Sequence, residues 1–355
     1  MKQQEREPIG MYLRGSDTIP LLKYFDKLQN RYAIHSSFAT KTVYEYFNRT
    51  TLLLDDWMSD LRLSCIDNTS LDLPTIIIPF TYQFPHSSQS DTFAAAFCKN
   101  SPIEIQENMS PLKELLSYWC NCIPSGDEIL SLDCPCILIT SITPFSDSFE
   151  VLLKSLHELR KSGKKAIGLS CNPNVSLLDG IYYFPRNFLS ENYDTNYSLA
   201  KLNSFIKNIQ KKEYPDILLI EAPGVIMKSS LTGNHCFGIE TYAISQVISP
   251  DYVICCAPTH LYSFEYWDRF NNVAKYKFGF SVNAIQISNL IVNPKINLDT
   301  EDRYLRTMQR VIDTDEANSK SDIFFFDVQS GTHFNILMHR LTSVVNNQLI
   351  GKVIL

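Results

Sequence analysis

The stretch Cys136-Ile137-Leu138-Ile139-Thr140-Ser141 decides the fold. It is a short, continuous apolar run, the pattern of a strand covered on both faces of a parallel sheet. The turn Ile142-Thr143-Pro144-Phe145-Ser146-Asp147 follows. From Ser148 to Lys161, Phe149, Leu152, Leu153, Leu156 and Leu159 recur at helical spacing, and Ser162-Gly163 closes the helix. Lys165 to Ser170 then resumes as a strand, which completes a βαβ unit with a right-handed crossover.

Downstream, Asp216 to Glu221 is a second strand of this kind and runs directly into Ala222-Pro223-Gly224. A helix over Ile239 to Ile248, strands at Tyr252 to Cys256, Val282 to Ser288 and Ile323 to Val328, and a last helix from Phe334 to Leu349 extend the alternation. Upstream, the turn-forming Pro124-Ser125-Gly126-Asp127 marks a boundary, so the sequence predicts two domains, 1–127 and 128–355. The first carries strand-like runs at Tyr32 to His35, Thr51 to Leu54 and Thr75 to Phe80. Helix-like pieces at Ile19 to Gln29, Phe93 to Cys98 and Leu112 to Cys120 alternate with them, an order that predicts a Rossmann-like α/β layer.

The chain has 355 residues, 45% hydrophobic and 20% charged, enough to bury two cores. A net charge of −6 with dispersed basic residues excludes an electrostatic footprint for nucleic acid or an anionic membrane. Arg160-Lys161 with Lys164-Lys165, and Lys211-Lys212, read as helix ends whose cations complement the dipole. No apolar run reaches the about 18 residues of a membrane span, and the first residues lack the apolar core of a signal peptide, so the expected location is the cytoplasm. Thiols rather than disulfides are then expected of the ten cysteines. Cys120, Cys122, Cys134 and Cys136 fall in one short window, but single-residue spacers suit a tetrahedral zinc site poorly, and burial explains them equally well.

The strand, turn and helix from Cys136 to Lys161 stand where a phosphate-binding loop would be. Such a loop needs glycines so that N–H groups can wrap the phosphates, a lysine to neutralise them and a hydroxyl for magnesium. This turn has no glycine, and Asp147-Ser148 occupies the place of Lys-Ser/Thr. Asp147 repels phosphate and most simply caps its own helix. Glu221, an acid at the end of a buried strand with Gly224 just beyond, has the placement of a magnesium ligand, or else of a plain strand-end carboxylate. Thr143, Asp147, Ser148, Glu221 and Gly224 are thus the candidate cofactor-binding residues, with Glu221 the candidate metal ligand. His235 with Cys236 as a nucleophile pair, and Asp147, Glu221 and His260 as a metal set, are weaker alternatives, and no catalytic residue is assigned. The aromatic stretch containing Tyr262, Phe264, Tyr266 and Trp267 has helical spacing and is either core or a surface for a peptide, a partner or a second copy in a homodimer.

Several of these residues also carry a resemblance. Pro223-Gly224-Val225-Ile226-Met227, Phe237-Gly238-Ile239 with Tyr242 and Ser245-Gln246, and Pro250-Asp251 resemble the peptide-maturation-system proteins. Clostridial and related gene clusters encode these beside radical SAM enzymes and small ribosomally made precursor peptides. Asp147 with Phe149-Glu150, and Gly163, fit the earlier block of that family, and the resemblance spans about Cys136 to Phe280. More distantly, Glu221-Ala-Pro-Gly224 and the degenerate loop are similar to dethiobiotin-synthetase-like P-loop proteins, in which the corresponding acid binds magnesium. A lysine often follows the aspartate of the early block, whereas this chain has Ser148, so the charge that would meet phosphates is missing. The fold implied for the second domain is a P-loop-NTPase-like parallel sheet without a functional Walker A loop. The implied function is an accessory role in RiPP biosynthesis, binding precursor peptide or the radical SAM enzyme without ATP hydrolysis. The alternative is a peptide-modifying enzyme that uses ATP and Mg2+ through an atypical loop.

Overall fold

The computed structural model describes residues 7–13, 18–28, 32–39, 63–65, 75–77, 117–124, 126–143, 146–172, 175, 178–186, 188–189, 194–226, 238–259, 264–292, 304–306 and 314–353. The chain divides into two compact units, Met1–Glu114 with Asn172–Asp179, and Leu115–Cys171 with Gly180–Leu355. Residues 117–122, on the first-domain side of the split read from Pro124 to Asp127, pack in the second unit. There Trp119 meets Phe205 edge-on at 5.3 Å between ring centroids.

In the first unit, β1 (Glu7–Leu13), β2 (Tyr32–Ala39), β3 (Leu63–Cys65) and β4 (Thr75–Ile77) form a sheet of order β3-β2-β1-β4, with every pairing parallel. Helix α1 (Thr18–Leu28) joins β1 to β2 and buries Leu21, Tyr24 and Leu28. This is the Rossmann-like order expected of a βαβ start. Thr51 to Leu54 and Phe93 to Cys98 lie outside the described residues.

The second unit is built on seven strands: β5 (Cys136–Ser141), β6 (Ala166–Ser170), β7 (Ile181–Tyr183), β8 (Ile217–Glu221), β9 (Tyr252–Ala257), β10 (Ala284–Ile287) and β13 (Phe324–Phe326). Their order is β13-β10-β9-β5-β8-β6-β7, all parallel. β11 (Leu290–Val292) and β12 (Tyr304–Arg306) make a small antiparallel ribbon. The helices are α2 (Ser148–Lys161), α3 (Thr195–Glu213), α4 (Ile239–Val247), α5 (Phe264–Phe278), α6 (Thr314–Lys320) and α7 (Gly331–Val353).

Because side chains alternate across a strand, the sheet has two distinct faces. Cys136 and Leu138 of β5, Leu218 and Ile220 of β8, and Val253 and Cys255 of β9 join Phe205, Ile206, Ile244, Trp267 and Phe270 of α3, α4 and α5 in one core. The intervening residues, Ile137, Ile139, Leu219 and Ile254, are buried on the other face, where α2 packs on the sheet and α7 packs on α2. This alternation sends Ser170, Glu221 and Cys256 to the α2 face, and it builds the site described next.

Candidate functional site

The C-terminal ends of β5, β8 and β9 form the crevice of the sheet. β5 leaves toward β6 on one side, whereas β9, its neighbour on the other side, leaves toward β10. Connections that part in this way open a cleft at the carboxyl ends of the strands, where ligands of parallel α/β sheets bind.

Glu221, the last residue of β8, is 7% exposed and holds the centre of this rim. Its Oε1 accepts from Ser148 Oγ at 2.7 Å, and its Oε2 accepts from Ser170 Oγ. Three elements therefore converge on one carboxylate. Ser148 opens α2, Ser170 ends β6 and Glu221 ends β8, and strand alternation places the last two on the face that α2 covers. Sequence reading found Ser148 and Glu221 and missed Ser170. The signal was available, since a serine closing an apolar strand parallel to β8 lies at the same edge.

The turn after β5 is held by its own groups. Ile142 N donates to Cys256 O at 2.8 Å, Thr143 and Ser146 exchange a hydroxyl contact of 2.7 Å, and Ser146 Oγ also donates to Thr143 O at 2.9 Å. Thr143 and Ser146 are buried, so the hydroxyl predicted to face a cofactor is spent inside the turn. Asp147 stands at the N-cap of α2 but adopts a left-handed conformation, φ 65° and ψ 16°, and its side chain makes no capping hydrogen bond. This corrects the expectation that it caps the helix. Side-chain capping needs an extended N-cap residue whose carboxylate folds back over the first turn, and the left-handed backbone removes that geometry.

Gly224 also has a left-handed backbone, φ 77°. A Cβ there would lie 3.0 Å from Oε2 of Glu240, which sits in the first turn of α4. Glu240 is 7% exposed, and among the described residues its Oε2 has no hydrogen-bond partner. Sequence reading did not single it out, because an acid in a first helical turn looks like simple dipole complement. Burial pushes the Cys171 thiol up to about 12, helped by the negative charge of Glu221 and then of Glu240, with Arg186 opposing. Burial likewise raises the Cys256 thiol, with Cys255, Asp147 and Glu221 adding to it. Glu221 is the acid common to both thiols, and burial is the larger cause in each.

The rim fits the two halves of a nucleotide site unequally. Ser148 and Glu221 match in type the hydroxyl and the acid that P-loop proteins use to hold magnesium. The turn from Ile142 to Asp147 offers phosphates no glycine and no lysine, and Pro144 lacks an N–H altogether. Among the described residues no three of His, Cys, Asp and Glu group as a metal cage. His235, Cys236, His260 and Tyr262 lie outside the described residues.

Phe264 opens α5. Trp267 is 2% exposed and packs edge-on against Phe270 at 6.0 Å and Phe325 at 5.7 Å, while Tyr266 is half-buried and stacks on Phe270 at 6.3 Å. Cys122, Cys134 and Cys136 are buried and Cys120 is exposed. Asn208 donates to Cys122 Sγ at 3.6 Å and Gln210 to Cys134 Sγ at 3.2 Å. No helix among the described residues is long and apolar enough to cross a membrane.

No family model and no curated protein sequence matches the chain. Among solved structures it is similar to a DUF1611 family protein from Anabaena variabilis, with 11% identity, 79% of this chain and 88% of that chain covered, and a TM-score of 0.46. It is also similar to a nucleotide-binding protein from Archaeoglobus fulgidus in complex with ADP, with 13% identity, 66% and 91% coverage and a TM-score of 0.35. Its own strand order defines the second unit as a parallel-sheet α/β domain, laid out like a P-loop domain with a glycine-free first turn.

Proposed function

We propose that the protein is a non-hydrolysing accessory protein of peptide maturation, which binds a ribosomally made precursor peptide or the radical SAM enzyme that modifies it. The observation that supports this reading is the turn after β5. Its hydroxyls are bonded to one another, its N-cap acid is left-handed, and it lacks the glycines and lysine that a triphosphate requires. A sheet edge of this kind keeps the scaffold of a nucleotide site without the means to stabilise a transferring phosphoryl group. The resemblance around Pro223 to Pro250 supplies the biological setting.

Calorimetry of the full chain against a radical SAM enzyme and a precursor peptide of the kind that peptide-maturation gene clusters encode tests the reading. Saturable binding of either is expected. A chain that binds neither, at concentrations up to the millimolar range, removes the proposal.

The Ser148 to Glu221 contact of 2.7 Å favours a second reading, in which this pair holds Mg2+ with ATP. Thermal-shift measurements with ATP and magnesium separate the two. On the first reading the melting temperature stays put at millimolar nucleotide. On the second it rises, and Glu221→Gln abolishes the rise.

A further inference from the structure

We propose that the rim carries an acceptor site for a primary ammonium group, with the Glu240 carboxylate as the principal acceptor and Glu221 adding negative charge nearby. The inference deepens the peptide-binding reading and rests on it for the source of the ammonium, an N-terminus or a lysine side chain.

The starting point is Glu240 Oε2, buried with no donor among the described residues, in a residue 7% exposed. A buried acceptor without a partner is rare in native proteins and calls for a role. The N-terminal dipole of α4 accounts for a negative charge in its first turn but supplies no hydrogen bond to this oxygen. The carboxylate lies against Gly224, three residues past Glu221, where an added Cβ would stand 3.0 Å from Oε2. Glu221 and Glu240 both act electrostatically on the Cys171 thiol, against Arg186.

Ligand chemistry follows from charge and geometry. Phosphate and carboxylate are repelled by Glu221 and Glu240, with Arg186 as the counter-charge acting on Cys171. A divalent metal wants several oxygens or nitrogens converging at once, and no three candidate ligands group among the described residues. An ammonium group has three donors, no acceptor need and a compact charge, so it can satisfy one orphan oxygen while drawing on acids nearby.

The test uses the full chain, with n-butylammonium chloride as probe against sodium chloride at matched ionic strength, followed by thermal shift and calorimetry. Saturable stabilisation by butylammonium is expected, reduced at least ~10-fold in affinity by Glu240→Gln, which keeps shape and removes charge. Because loss of an unpartnered anion should not harm folding, the variant's own melting temperature should equal or exceed that of the parent. A response no larger than that of sodium chloride, or one that Glu240→Gln leaves unchanged, overturns the proposal. Precursor peptides with free or acetylated N-termini, and with lysine or norleucine, identify the source of the ammonium. Butylammonium binding without any peptide binding keeps the ammonium site and removes the peptide-binding reading. Peptide binding that neither blocking the amines nor Glu240→Gln weakens keeps the peptide reading and removes the ammonium site.

Discussion

Where the strands of the seven-stranded sheet begin, side chains bond the backbone of neighbouring strands in reciprocal pairs; where the strands finish, backbone holds backbone and the side chains hold carboxylates. At the first end, Asp251 N donates to Cys136 O and Cys136 N returns a bond to Asp251 Oδ2, both at 2.8 Å. Asp216 with Lys165 repeats the exchange at 2.9 and 2.7 Å, and Asn283 with Val253 at 3.0 and 2.7 Å. Arg160 adds bonds of 3.0 Å to the carbonyls of Ala166 and Gly180. At the other end, Ala222 N reaches Ile139 O and Ile226 N reaches Ser141 O, both at 2.8 Å, and Gly224 and Gly238 turn the chain with positive φ. One rim is thus stapled by side chains bonded to backbone, and at the other the chain turns at left-handed glycines while Glu221 is held by the Ser148 and Ser170 hydroxyls.

If this contrast is right, adding a side chain injures the second rim and deleting one injures the first. The largest effect is expected from Gly238→Ala. Its Cβ would stand 2.8 Å from the carbonyl oxygen of Ile226, a backbone atom, at φ 72°. Left-handed strain and a clash that no rotamer relieves should together cost about 3 kcal/mol in chemical denaturation. A loss near zero would mean that the rim adapts and is not set by backbone shape.

Asp251→Ala comes next, at about 2 kcal/mol, because the buried N–H of Cys136 loses a charge-assisted acceptor. Asp251→Asn keeps an acceptor and should cost about half as much. Glu221→Gln should cost about 1 kcal/mol or less, since Ser148 and Ser170 hydroxyls can reorient toward an amide. Were Glu221→Gln to cost more than Asp251→Ala, Glu221 would be a structural staple and the division of labour between the rims would fail.

The same contrast explains what the sequence disclosed. β5 and α2 fall at the bounds read from the chain, Cys136–Ser141 and Ser148–Lys161, because burial on both faces and clean helical spacing leave no competing pattern. Of the 19-residue α3 only the C-terminal end was read, at Lys211-Lys212. Its stripe is interrupted by buried Asn203, Lys207 and Gln210, which spend their polar groups on Leu130, Val247, Ser131, Asp133 and Cys134. β1 escaped because Pro8 and Gly10 mimic a turn, and the register indeed shifts between Ile9 and Gly10. At the site, Glu221 and Ser148 were legible from position alone. Glu240 was not, because its meaning depends on a missing Cβ three residues past Glu221. The pair Pro250-Asp251, noticed as part of a resemblance, has a structural use in bonding Cys136.

The smallest effect compares the rims by alkaline titration. Tyr182, at the strand-start side, donates to Glu213 at 2.5 Å; burial and that carboxylate push its hydroxyl from 10.0 up to about 12. Cys171, at the strand-end side, moves from 9.0 to about 12 through burial and Glu221. Both groups are acids with a raised folded pKa, so the folded state resists ionisation that the unfolded chain accepts. Their stabilising contribution is complete below the unfolded value and declines as pH climbs through the window to about 12. Stability should therefore begin to fall above pH 9 through Cys171 and above pH 10 through Tyr182. Cys171→Ser should flatten the earlier part of the decline and Tyr182→Phe the later part, each by less than one proton's worth of slope. Equilibrium denaturation between pH 8 and 11 reads both. If Cys171→Ser leaves the early slope untouched, the thiol ionises normally, and the acid-rich field assigned to the strand-end rim is too weak to select a cation.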